Sequence, residues 1–178
     1  TEGSRGTKLF CLSGHITRPG TYELPFGITV RELLELAGGV RDGKALKGIL
    51  LGGAAGSFID SALLDMPLTY EDAKANGVSL GSGALMVFDE TANMQEALHQ
   101  LAHFFAHESC GKCFPCQLGT QRQLELIEGM ENGRFSPTNK QILLDVGFTM
   151  TNTSLCGLGQ TAGMAVMSAL ELWPELTE

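Results

Sequence analysis

A chain of 178 residues that is 43% hydrophobic can bury a sizeable core, and its length suits one large domain or two small ones. Its formal net charge of -8, without a basic run, argues against a nucleic-acid or anionic-membrane surface, since either needs clustered Lys and Arg. No stretch reaches the roughly 20 apolar residues of a membrane-spanning helix. The polar start TEGSRGTK lacks the apolar core of a signal peptide, so a cytoplasmic location is expected, and the start reads as that of a fragment or processed chain.

Residues 1–6 read as a linker. Residues 8–16 and 21–24 flank Arg18-Pro19-Gly20, where proline presets the first turn torsion and glycine permits positive φ, a hairpin signal. Thr29 and Glu32 form a capping box ahead of Leu33, Leu34 and Ala37 at helical spacing, and Gly38-Gly39 stops the helix. Residues 47–51 predict a third strand and residues 84–88 a buried fourth. A hairpin, a helix, then further strands is the layout of a β-grasp (ubiquitin-like) domain over residues 7–90, one helix across a mixed sheet. Gly52-Gly53-Ala54-Ala55-Gly56 reads as a plain turn, because a phosphate loop needs a following helix and usually a Lys-Ser/Thr pair. Cys11, within a strand pattern, reads as a small buried hydrophobe.

Composition changes between Asp89 and Asn93, and residues 91–178 read as a four-helix domain, making the whole chain α+β. Over residues 93–107, Met94, Ala97, Leu98, Leu101, Phe104 and Phe105 fall on one face of a 3.6-residue period. Further helices are expected over 118–130, from Ser136-Pro137 onward, and over 162–173. His99, His103 and His107 share one stripe opposite the apolar face, which reads as a solvated or partner-facing surface before it reads as a chelating one.

Five cysteines without a secretory signal are poorly explained as disulfides, because the count is odd and three crowd into seven residues. Cys110-Gly-Lys-Cys113-Phe-Pro-Cys116 has the spacing that lets one short loop place three thiolates on three corners of a cuboidal iron-sulfur cluster. The fourth corner falls to Cys156, in a glycine-bearing loop expected between two helices. Structural zinc remains an alternative, although zinc sites usually divide their ligands between two separate pairs. Cys113-Phe-Pro-Cys116 alone also has thiol-disulfide spacing, but that chemistry leaves Cys110 without a role. Gly157-Leu-Gly159-Gln-Thr-Ala162 satisfies the loose dinucleotide fingerprint without the flanking strands it requires.

Together, Glu108-Ser-Cys-Gly-Lys-Cys-Phe-Pro-Cys116 and Asn152-Thr-Ser-Leu-Cys-Gly-Leu-Gly-Gln-Thr-Ala162 resemble the cluster-binding end of the family of NADH-binding flavoprotein subunits. That family includes subunits of NADH:quinone oxidoreductase, NAD-reducing hydrogenase and NAD-dependent formate dehydrogenase. Gly6-Thr-Lys-Leu-Phe-Cys-Leu-Ser-Gly14, Arg18-Pro-Gly-Thr-Tyr-Glu23 and Gly52-Gly-Ala-Ala-Gly56 are similar to its soluble-ligand-binding β-grasp domain. The Leu155-Cys-Gly-Leu-Gly159 form looks nearer the hydrogenase and formate dehydrogenase branches. The resemblance implies a [4Fe-4S] cluster on Cys110, Cys113, Cys116 and Cys156, serving as an electron relay of an NADH dehydrogenase or diaphorase component. It further implies FMN and NADH sites in a part of the parent protein absent from this chain, and other iron-sulfur subunits as partners. This chain alone is then not expected to oxidise NADH.

Overall fold

The computed structural model describes residues 1–177, the side chain of residue 131 excepted. The chain divides into two compact units, Thr1–Ala92 and Asn93–Glu178.

In the first unit, apolar alternation of period two sets the faces of β1 (Thr7–Gly14): Phe10 and Leu12 are buried, whereas Leu9 and Cys11 look outward. Cys11 is therefore exposed, against the expectation that it packs in the core, and its Sγ lies 3.5 Å from Thr21 Oγ1. A tight connection through Arg18-Pro19 returns the chain along β2 (Gly20–Pro25), antiparallel to β1 as expected. The capping box forms: Thr29 Oγ1 accepts from the Glu32 N–H at 3.1 Å, and Glu32 Oε2 accepts from the Thr29 N–H at 2.8 Å. It starts α1 (Val30–Leu36), which buries Val30, Leu33 and Leu34 and ends at Ala37 before two glycines of positive φ.

Strand β3 (Leu46–Leu51) has four consecutive buried residues at its end, as a central strand covered on both faces must. The glycine-rich turn after it leads into β4 (Ser57–Ile59), a strand the sequence pattern does not announce because it is only three residues long. Helix α2 (Tyr70–Ala75), capped by Thr69, is likewise not announced, and β5 (Ala84–Asp89) is the strand expected over 84–88. The five strands order as β2-β1-β5-β3-β4, a mixed sheet in which β1 and β5 are parallel and the other pairs antiparallel. Phe10, Leu12, Ile49, Leu51, Leu85 and Val87 project from the sheet into one core with Val30, Leu33 and Leu34 of α1.

At the end of β5 the Asp89 carboxylate is buried. Thr91 donates to it through Oγ1 at 2.6 Å and its backbone N–H at 2.9 Å, with Lys44 Nζ at 3.5 Å and His15 Nδ1 at 3.0 Å. Chiefly the Thr91 hydroxyl holds this carboxyl down at about 2, against the opposing effect of burial.

The second unit is helical: α3 (Met94–Glu108), α4 (Phe114–Glu131), α5 (Pro137–Thr153), α6 (Gly157–Thr161) and α7 (Met164–Leu172). The buried stripe of α3 is Met94, Leu98, Ala102 and Phe105, narrower than its apolar pattern, because Phe104 falls outside the arc facing its neighbours and is exposed. Helix α4 begins four residues earlier than expected, with Pro115 in its first turn, where a missing N–H is harmless. Its buried face carries Cys116, Thr120, Gln123, Ile127 and Met130. Both polar members are satisfied: Thr120 Oγ1 donates to Cys116 O at 2.9 Å, and Gln123 Nε2 to Ala162 O at 3.0 Å. Helices α4 and α5 approach closely at Gly119, where a Cβ would fall 2.5 Å from Met150 Cγ. Helix α5 opens with the Ser136–Asn139 capping box, and the segment expected as a loop around Cys156 contains the short α6. With α6 counted, the described residues of the second unit hold five α-helices rather than four.

Candidate metal centre

Helix α3 stops at Ser109, whose N–H still bonds Phe105 O at 3.1 Å while its φ and ψ turn extended. The chain then reverses through Cys110 and Gly111, the latter at φ 72°, into Cys113, the N-cap of α4. Three cysteines thus sit around one helix start, but not in one loop: Cys116 occupies the first turn of α4. The reason is local, since Phe114-Pro115 is already a helix-initiating pair. Cys156 is the N-cap of α6, and the Gln160 N–H bonds its carbonyl at 3.1 Å. Neither Cys113 nor Cys156 caps its helix with its side chain, so the thiols remain available as ligands.

The two cysteine-bearing segments meet at Cys116. An added Cβ on Gly159 would lie 2.8 Å from Cys116 Cβ, 2.7 Å from Ser154 Cβ and 2.5 Å from Ser154 Oγ. Only a glycine lets α6 press this closely on the first turn of α4. Ser109 Oγ stands 3.3 Å from Cys116 Sγ. Cys116 is buried, Cys113 half-buried, and Cys110 and Cys156 are exposed. The thiols are not drawn into one coordination sphere, and among the described residues no three His, Cys, Asp or Glu side chains are gathered to hold a metal ion. The donor set nonetheless fits an iron-sulfur cluster: soft thiols alone, carried on two abutting segments, with no acidic residue in the first turn of α4 or α6.

Ser109, Ser154 and Gly159 are not singled out by sequence reasoning. A serine two residues before Cys156 and a glycine three after it are the available signals, but neither means anything until the segments are seen to touch. Also unforeseen is a set of exposed apolar side chains in the second unit. Phe114 (76% exposed), Leu118, Phe148 and Leu155 (72%) face outward, and a cleft of about 460 Å³ opens between Phe114, Leu118 and Arg122 of α4 and Ile142, Val146 and Thr149 of α5. The imidazoles of His99, His103 and His107 line up with successive ring centroids 6.4 Å apart, and His99 Nε2 lies 3.9 Å from Glu128 Oε1. The glycines of the dinucleotide-like motif belong to α6, which follows a helix and not a strand.

Residues 96–178 match the NADH-ubiquinone oxidoreductase-F iron-sulfur binding region, and residues 9–54 match the SLBB domain. The two matches take in nearly all of the second unit and part of the first. It is 45% identical over 171 residues to the F subunit of NADH-quinone oxidoreductase from Mycobacterium tuberculosis, covering 96% of this chain and 38% of that protein. To the HndC subunit of the NADP-reducing hydrogenase from Solidesulfovibrio fructosivorans it is 35% identical over 172 residues, covering 96% of this chain and 35% of that protein. Among solved structures, the air-oxidized NAD+-reducing [NiFe]-hydrogenase superposes over 100% of this chain and 30% of its own, with a TM-score of 0.89 and 30% identity. The chain therefore spans well under half the length of the relatives it matches.

Proposed function

We propose that this chain binds one [4Fe-4S] cluster through Cys110, Cys113, Cys116 and Cys156. In this reading it relays electrons from FMN, held in an NADH- and FMN-binding domain outside this chain, to partner iron-sulfur subunits. The observation that carries this reading is the contact of the Cys156 segment with Cys116 at Gly159, inside the region that matches the iron-sulfur family. When bound, such a cluster carries one electron at a time, which suits a site beside a flavin that accepts two.

The chain's own residues bind, orient and shield. Cys116, fixed by α4 and buried, is the anchoring ligand, and Pro115 sets the backbone torsion that presents it. The first N–H groups of α4 lack a side-chain cap and are free to donate to sulfur. Cys110 and Cys156 stand at the surface, and the second unit also exposes Phe114, Leu118, Phe148 and Leu155, side chains suited to burial against a redox partner that would exclude water. The first unit fits the β-grasp reading, with α1 packed on the mixed sheet. No helix among the described residues is long and apolar enough to cross a membrane, and a cytoplasmic location, where thiols stay reduced, belongs to the proposal.

The test is an anaerobic preparation assayed for iron, sulfide and zinc, with EPR spectra before and after dithionite. About four irons and four sulfides per chain with a reduced S = 1/2 signal are expected. Serine replacement of any one of the four cysteines should lower iron content and change or abolish the signal, whereas Cys11→Ala should leave both intact. One zinc and no signal would make this a ligand- or partner-binding module with a structural metal.

A further inference from the structure

Ser154 ends α5 with both backbone groups satisfied: its N–H bonds Met150 O at 3.1 Å, and its carbonyl accepts from Gln160 Nε2 at 3.0 Å. Its side chain differs. Ser154 is 6% exposed, and its Oγ is buried without a hydrogen-bond partner. Among the described residues the other such atom is Asp89 Oδ2, which at least faces the Lys44 ammonium at 3.5 Å. A buried hydroxyl that pairs with nothing is disfavoured, and one that persists calls for a reason.

Its surroundings supply one. Ser154 Oγ and Cys116 Cβ lie 2.5 and 2.8 Å from the same point, the place of a missing Cβ on Gly159, so they are no further apart than the sum of those distances. From the other segment, Ser109 Oγ already sits 3.3 Å from Cys116 Sγ. Two serine hydroxyls, one from each cysteine-bearing segment, therefore flank the one buried cysteine of the set, Ser109 Oγ beside its sulfur and Ser154 Oγ near its Cβ. Hydroxyls donate most strongly to anionic acceptors, and more so away from water. A sulfur at the Cys116 corner gains negative charge when one electron is added, so a donor there favours the reduced form.

We propose that Ser154, together with Ser109, is a positioning residue that donates its hydroxyl hydrogen to sulfur at the Cys116 corner and thereby raises the reduction potential of the bound cluster. This rests on the cluster reading above. No proton changes owner: one electron enters from the reductant, and the two O–H groups answer the added charge by shorter hydrogen bonds.

The full chain is reconstituted anaerobically with ferrous iron and sulfide and titrated with dithionite through redox mediators, the reduced signal being followed by EPR. Ser154→Ala should retain its iron and sulfide but fall in midpoint, the reduced-to-oxidised ratio at the wild-type midpoint dropping up to about tenfold, or about 59 mV for a one-electron couple. Ser154→Thr, which restores a hydroxyl, should recover most of the shift, a rescue that a purely structural role does not give. Without iron, Ser154→Ala should unfold at no lower temperature than wild type, since the hydroxyl it removes has no partner. If the alanine chain fails to load, Ser109→Ala carries the same expectation. A full complement of iron and sulfide with an unchanged midpoint overturns the inference alone. A wild-type chain that takes up neither overturns the cluster reading, and this inference with it.

Discussion

Gly159→Ala tests the contact on which the site is built. Its backbone does not occupy the positive-φ region, so alanine is conformationally acceptable, and inside a helix the change should gain up to about 1 kcal/mol in propensity. Against that stands the space. The new methyl would sit 2.5 to 2.8 Å from Ser154 Oγ, Ser154 Cβ and Cys116 Cβ, and two of those atoms are tied directly to backbone. Overpacking of this kind costs about 1–3 kcal/mol, leaving a net loss on the order of 1–2 kcal/mol. For a unit of this size, that loss lowers the midpoint of thermal unfolding by roughly 5–15 °C. The strain is relieved by moving the segment that carries Cys156 away from Cys116, so iron bound per chain should fall with it. Gly157→Ala is the control, because a Cβ there meets nothing within 4 Å. It should be neutral or slightly stabilising and keep its iron. A Gly159→Ala chain that melts at or above the wild-type temperature with full iron content would refute the claim that this contact positions the fourth ligand.

Thr29→Ala removes the hydroxyl that accepts from Glu32 N–H at the start of α1 and should destabilise the first unit by about 1 kcal/mol, read from urea denaturation; no change in midpoint would mean the cap is dispensable. Asp89 supplies a pH dependence. Its carboxyl is lowered to about 2 in the folded chain from an ordinary 3.8, so its contribution is fully present above the ordinary value and fades as pH falls through about 2. Glu71, held down to about 2 chiefly by the Ser4 hydroxyl, acts in the same direction. Wild type should therefore lose stability more steeply than Asp89→Asn between about pH 4 and pH 2, and parallel profiles would contradict the linkage.

Much of the molecule is readable because its signals are local. A capping box, a Pro-Gly turn and a C-x2-C-x2-C run are each complete within seven residues, and each states its geometry without reference to the rest of the chain. Short β4 and α2 escape because three and six residues hold too little periodicity to register. Cys11 lies on the opposite side from its sequence reading, although Phe10 and Leu12 on the alternate phase assign it outward once one face is known to be the core. The first turn of α4 reads as loop from the cysteine spacing alone, and the Phe114-Pro115 helix start within it carries the contrary signal.

By itself, then, the sequence determined the longer elements, the spacing of the four thiols and the family they resemble, since those depend on neighbours a few positions apart. Only the tertiary structure decided which segments touch: the parallel pairing of β1 with β5, the burial of Cys116 alone among the four, and the pressing of Gly159 on that cysteine. The strand pairing and the Gly159–Cys116 contact join residues tens of positions apart, and packing, which no local pattern encodes, selects them.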